Sequence, residues 1–276
     1  MSGFYVHVPF CAKKCSYCDF HFSTRYEGYR DEMVASIAQE IIERKGESLS
    51  PLNSLYFGGG TPSLLTHKEL GFLIKTIREN YNTTPLMEVT LEANPEDVNP
   101  DALSAWAEIG FNRLSVGLQS FKASDLKWMN RGHSAQEALK CVRLAQTAGF
   151  TDLSVDLMYG LPGLKKEEWL DHIQTVINAG VSHISAYCLT VEKGTILSSQ
   201  VKKGQRSVPE DDIIEQQYQQ LVSYLRENGF EQYEVSNFAK NKRYSKHNSS
   251  YWQGISYIGV GPSAHSFKEG YRRWNV

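Results

Sequence analysis

Phe4-Tyr5-Val6-His7-Val8-Pro9-Phe10-Cys11-Ala12-Lys13-Lys14-Cys15-Ser16-Tyr17-Cys18 joins a short β-branched and aromatic run to three cysteines crowded into eight positions. Residues 4–8 read as a strand. Working outward, the same pattern recurs: an apolar run, a loop, an amphipathic helix, then a glycine. Further strands are expected over 54–57, 88–92, 113–118, 153–158 and 183–189. Between them, Val34, Ile37, Ala38, Ile41 and Ile42 follow the spacing of a buried helical stripe, and so do Ala138, Cys141, Val142 and Ala145. Helices are expected to close at Gly110, Gly149, Gly180 and Gly229, each followed by an apolar residue.

Strands and helices alternating at this length demand parallel strands with right-handed crossovers. Six such units predict an α/β fold, a partial (βα)6 TIM-like barrel. No Gly-x-Gly-x-x-Gly follows an early strand, which argues against a dinucleotide fold. After Gly229 the pattern changes to short aromatic runs and Gly259-Val-Gly-Pro262, with no long helix. The expected division is a barrel core over 1–228 and a short β-rich C-terminal extension over 229–276.

The 276 residues are 41% hydrophobic and 22% charged, an ordinary globular composition. With 29 basic and 31 acidic residues and a net charge of −2, no global field recruits nucleic acid. The apolar runs are too short to span a bilayer, so no transmembrane segment is expected. Residues 4–8 do not read as a secretory leader, and five cysteines, an odd count with three clustered, favour metal or redox chemistry over disulfides. The expected location is a reducing cytoplasm.

Thiolates are the soft ligands of iron–sulfur clusters. Gaps of three and two residues let one loop carry Cys11, Cys15 and Cys18 around three corners of a cube, which leaves the fourth iron an open position. A zinc site completed by His21 stays open as the alternative, although structural zinc usually draws its ligands from two separated knuckles. Cys141 and Cys188 read as small core residues.

In a βα barrel the chemistry sits where the strands end. After the second strand comes Gly58-Gly59-Gly60-Thr61-Pro62, whose glycines let main chain approach a ligand closely. It lacks the Gly-Lys-Ser ending of a phosphate loop. The third strand ends at Glu92, the fourth at Gln119, the fifth carries Asp156 and the sixth Tyr187. Each alone could be a cap or surface group. Together they predict a polar pocket beside an electron source.

Through the following motifs the chain resembles a radical SAM protein. The stretch from Tyr5 to Cys11, the Cys-x3-Cys-x2-Cys loop, Phe57-Gly-Gly-Gly-Thr-Pro62 and Asp156-Leu-Met-Tyr-Gly-Leu-Pro162 are similar to its oxygen-independent coproporphyrinogen III oxidase-like branch. The resemblance implies a [4Fe-4S] cluster on Cys11, Cys15 and Cys18. It implies S-adenosylmethionine on the open iron, cleaved after electron transfer to methionine and a 5′-deoxyadenosyl radical. It further implies that Gly59, Gly60 and Thr61 hold the methionine moiety. Glu92, Gln119, Arg131 and Asp156 would contact the amino acid or ribose, with Tyr5 and Tyr17 near the adenosine.

Within that branch, coproporphyrinogen III dehydrogenases extend the motif by a fourth cysteine, where this chain has Phe20. They also carry an N-terminal segment enclosing the porphyrinogen, whereas this chain starts four residues before Tyr5. The chain resembles instead the HemW-type heme chaperones, through Cys18-Asp-Phe20 and His247-Asn-Ser-Ser-Tyr251-Trp252. That likeness implies heme as a third bound group, with His247 as its axial ligand. It implies an unknown heme-acceptor protein and a reductant such as flavodoxin or ferredoxin as partners, and it leaves peripheral membrane association open. The radical decarboxylation of coproporphyrinogen III is the alternative activity. Relatives usually continue into a helical C-terminal domain, and the chain is read as lacking one.

Overall fold

Every strand expected before residue 190 forms in the computed structural model, which describes residues 2–47 and 50–276. They are β1 (Ser2–Val8), β2 (Leu52–Gly59), β3 (Thr83–Ala93), β4 (Arg113–Gln119), β5 (Asp152–Tyr159) and β6 (His183–Cys188). Five further short strands follow: β7 (Glu231–Gln232), β8 (Asn237–Ala239), β9 (Tyr257–Val260), β10 (His265–Lys268) and β11 (Tyr271–Trp274). The helices are α1 (Arg30–Glu43), α2 (His67–Asn80), α3 (Pro100–Ile109), α4 (Ala123–Met129) and α5 (Ala135–Thr147). After them come α6 (Lys166–Asn178), α7 (Ile196–Lys202), α8 (Asp211–Glu227) and α9 (Lys246–Trp252).

Helix ends follow local chemistry. Thr66 with Glu69 and Ser134 with Glu137 form capping boxes that start α2 and α5. Asn99 caps α3, Pro100 occupies its first turn, and Gly110 ends it in the left-handed conformation at φ 108°.

The chain divides into two compact units. The first comprises Met1–Ala12, Phe20–Leu114 and Ser245–Val276. Its strands run in the order β11-β10-β9-β1-β2-β3. β2 and β3 are parallel to β1 in turn, with Tyr5 beside Tyr56 and Tyr56 beside Thr90. β9 joins the other side of β1, also parallel, and β10 and β11 return antiparallel. Alternation decides the two faces of β1. Phe4, Val6 and Val8 are fully buried, each contributing roughly 1.5–3 kcal/mol. Tyr5 and His7 take the opposite face. On α1, Val34, Ile37, Ala38 and Ile41 are buried as expected, but Ile42 is 40% exposed because it falls off the edge of the stripe.

The second unit comprises Lys13–Asp19 and Ser115–Tyr244. It carries β4 from Ser115 onward, then β5, β6, β8 and β7 in spatial order. β5 and β6 are parallel, and β8 runs antiparallel to β6. The stripe of Ala138, Cys141, Val142 and Ala145 is buried on α5. Residues 229–276, expected as one extension, are thus shared out: β8 pairs with β6 and carries β7, whereas β9 pairs with β1 and carries β10 and β11.

Candidate functional site

In the first unit, parallel pairing brings the C-terminal ends of β1, β2 and β3 to one edge, so three loops leave it side by side. Cys11 lies in the first loop as a half-buried thiol outside any disulfide. The buried Thr61 hydroxyl donates to Cys11 Sγ at 3.5 Å and accepts from Asn94 Nδ2 at 3.3 Å, so all three loops meet there. Glu92 is held on two sides. Tyr56 Oη donates to its Oε1 at 2.7 Å and the Gly59 N–H to its Oε2 at 3.3 Å.

The glycine loop serves the chain itself first. A Cβ on Gly60 would stand 2.5 Å from the Phe10 carbonyl oxygen, and one on Gly59, at φ 110°, 2.7 Å from the His7 ring. The glycines let β2 and its loop close against β1, which sets Thr61 beside Cys11. His7 is structural, as its Nε2 bonds the His21 carbonyl at 2.9 Å and its Nδ1 the Tyr5 hydroxyl at 3.2 Å. Burial lowers the His7 imidazole and raises the Tyr5 phenol well above its usual range, with Glu92 adding to the latter.

In the second unit, Arg131 spans two features: its Nη2 donates to the Gly117 carbonyl at 2.7 Å and its Nη1 to Cys15 Sγ at 3.7 Å. Burial raises the half-buried Tyr17 phenol, and Arg131 partly opposes the shift. The short segment carrying Cys15, Tyr17 and Cys18 is pinned by Ser16, whose N–H donates to the Met129 carbonyl at 3.2 Å, and by Asn130 Nδ2 on the Lys14 carbonyl at 2.8 Å. Gln119 ends β4 in the left-handed region at φ 67°, uncommon for a side chain of its size. Its Oε1 is buried with no hydrogen-bond partner among the described residues. Asp156, half-buried on β5, accepts from Ser115 Oγ at 3.2 Å.

His247 differs from its expected role. It is 1% exposed, with Nδ1 bonded to Ser54 Oγ at 3.0 Å and Nε2 to Tyr251 Oη at 2.8 Å. The ring stacks on Tyr56 at 5.0 Å and Tyr5 at 6.3 Å. Burial holds the imidazole down to about 3. With both nitrogens engaged, the side chain offers no lone pair to an iron. Phe20, in the fourth-cysteine position of the dehydrogenases, is 67% exposed.

Several contributors escaped the sequence reading. Tyr56 orients Glu92, Ser115 orients Asp156, and Glu88 receives the Lys246 and His247 N–H groups at the start of α9 at 2.8 and 3.1 Å. Period-two alternation could have found Tyr56, since it stands in register with Tyr5 on the same face.

These residues fit the group that a three-cysteine loop takes. No disulfide engages the three thiols, Cys11 and Cys15 each receive a donor suited to a thiolate, and a buried amide oxygen at a strand end awaits a polar ligand. Among the described residues, no three of His, Cys, Asp and Glu form a group that could hold a single metal ion.

Comparison with known proteins agrees. Residues 5–176 match the family model of the Radical SAM superfamily, and the chain belongs to it. Its cofactors are accordingly a [4Fe-4S] cluster and S-adenosylmethionine. The chain is 41% identical over 266 residues to Radical S-adenosyl methionine domain-containing protein 1, mitochondrial, of Danio rerio, covering 96% of this chain and 60% of that relative. It thus spans well under two thirds of that protein's length. To heme chaperone HemW of Mycobacterium tuberculosis (strain ATCC 25618 / H37Rv) it is 36% identical, covering 99% of this chain and 71% of the relative. For Bacillus subtilis (strain 168) HemW the values are 34%, 100% and 73%. Within the superfamily its family is therefore that of heme chaperone HemW. Among solved structures, coproporphyrinogen III oxidase (HemN) of Escherichia coli superposes with a TM-score of 0.82 at 25% identity, over 96% of this chain and 64% of that one. The α/β fold is that of a radical SAM protein, a partial barrel with β-rich C-terminal strands. No helix of the described residues is long and apolar enough to cross a membrane.

Proposed function

We propose that this chain is the cluster- and S-adenosylmethionine-binding part of a heme chaperone, which takes up heme and passes it to an acceptor protein. The observation that carries the reading is the match to proteins named heme chaperone HemW along essentially the whole chain. Cys11, Cys15 and Cys18 hold the cluster. Gly59, Gly60, Thr61, Glu92, Gln119, Arg131 and Asp156 hold the S-adenosylmethionine, with Tyr5 and Tyr17 beside its adenosine. When bound, the cluster and S-adenosylmethionine together supply one-electron chemistry at the sulfonium.

The chain's own residues orient and hold. The Thr61 hydroxyl and the Arg131 guanidinium lower the cost of carrying negative charge on Cys11 and Cys15. Tyr56 and the Gly59 N–H fix the Glu92 carboxylate as an acceptor for an ammonium or a ribose hydroxyl. Ser115 does the same for Asp156. The unpartnered Gln119 oxygen is satisfied by a ligand N–H or O–H, which supports assigning it to S-adenosylmethionine. A small electron carrier such as flavodoxin or ferredoxin supplies the reductant, and the protein works in the cytoplasm. A peripheral membrane contact would bring it to its acceptor.

The test is anaerobic reconstitution followed by hemin titration and transfer to a heme-free acceptor. One heme bound per chain, and its loss to the acceptor, is the expected result. A reconstituted protein that leaves the hemin spectrum unchanged would remove the chaperone reading.

A further inference from the structure

With His247 closed to iron, the heme reading needs another ligand. Of the eight histidines, His7, His133, His183 and His247 have ring nitrogens bonded within the protein, and His172 is buried. His21, His67 and His265 are exposed. His67 sits in the first turn of α2, and the His21 ring lies against His7 at 6.2 Å.

His265 is placed differently. It opens β10, and neither ring nitrogen has a hydrogen-bond partner among the described residues. Its ring runs alongside that of Trp274, its cross-strand partner, at 6.0 Å and 27°. Trp274 is itself 61% exposed, which leaves a large apolar surface in water without a structural return. The same face of the hairpin carries Phe267 opposite Arg272. Phe267 stacks on Tyr257 at 6.4 Å, and Tyr257 meets Tyr251 edge to face at 4.8 Å. Half-buried Phe267, backed by the buried Tyr257, thus presents an aromatic face beside an exposed imidazole.

The two adjacent arginines divide their work. Arg273 pairs with Glu47 at 2.7 Å and ties the hairpin down. Arg272, on the aromatic face, has no carboxylate partner among the described residues, and it lies near enough to Tyr251 and Tyr257 to oppose the burial-driven rise of their phenols. An exposed imidazole, an aromatic face and a guanidinium without a carboxylate partner among the described residues match the three parts of heme: its iron, its macrocycle and its propionates.

We infer that His265 ligates the iron of bound heme, with Phe267 against the macrocycle and Arg272 on a propionate. The inference rests on the heme-chaperone reading. Its test is hemin titration of the reconstituted full chain, followed by the Soret band, in the wild type, His265→Ala and Arg272→Gln. His265→Ala loses the shifted Soret band and weakens binding by about tenfold or more, and added imidazole restores the band. Arg272→Gln weakens binding without moving the band. His265 is exposed, so far-ultraviolet circular dichroism stays unchanged. If the wild type binds heme and His265→Ala keeps its Soret position and affinity, the assignment of His265 is wrong while the chaperone reading stands. A wild type that binds no heme overturns both.

Discussion

Acidification should destabilise this protein partly through His247, and replacing that residue should remove a defined share of the effect. Burial lowers its imidazole from the ordinary 6.5 to about 3, with no carboxylate at the ring among the described residues to compensate. Between those values the unfolded chain binds a proton that the folded chain refuses. Stability therefore rises with pH through this window and is flat above it. At pH 5 an unfolded imidazole is about 97% protonated, which draws about 2 kcal/mol from folding relative to pH 7.5. His172, lowered to about 4, and His7, also lowered, act in the same direction, so the wild type loses more in total. Subtraction isolates His247. Urea unfolding of wild type and His247→Gln at the two pH values, with equal m as the check on the transition, should show the variant losing about 2 kcal/mol less. The substitution carries its own cost at both pH values, and that cost cancels. A difference below about 0.5 kcal/mol would refute a buried, neutral His247 bonded at both nitrogens.

Three further outcomes are expected. Cys15→Ala should drop the iron content after anaerobic reconstitution from about four per chain to background, as measured by colorimetric iron and acid-labile sulfide. Gln119→Ala should weaken S-adenosylmethionine binding by about tenfold in calorimetry while leaving the cluster absorption unchanged, because its oxygen is kept for a ligand. Glu88→Ala removes the acceptor of the first two α9 amides and of Ser245 Oγ, and should cost about 2–4 kcal/mol, read as a lowered melting temperature.

What the sequence revealed is local. β1, β2 and β4 are apolar runs broken by loops, so their ends were visible to within two residues, and with them the places of Cys11, Thr61 and Gln119. β3 starts earlier than its apolar stretch because residues 83–86 extend into solvent, with Leu86 82% exposed, and no burial pattern marks them. The pairing of β9 with β1 joins residues 3–6 to 257–260, and nothing in a four-residue run announces a partner so distant. That pairing made residues 229–276 look like one extension when two different strands claim them. It also decides the histidines. His247 stands beside aromatics in sequence and looks like a ligand, but Ser54 and Tyr251 take both its nitrogens. His265 carries no motif and becomes conspicuous only once the hairpin sets Trp274 beside it.

The most direct measurement is electron paramagnetic resonance of the anaerobically reduced protein before and after S-adenosylmethionine is added. The expected result is the signal of a reduced [4Fe-4S] cluster whose g-values shift on addition, because the nucleotide takes the iron that the three cysteines leave open. A cluster signal indifferent to S-adenosylmethionine, or a protein that binds one zinc and no iron, would contradict it.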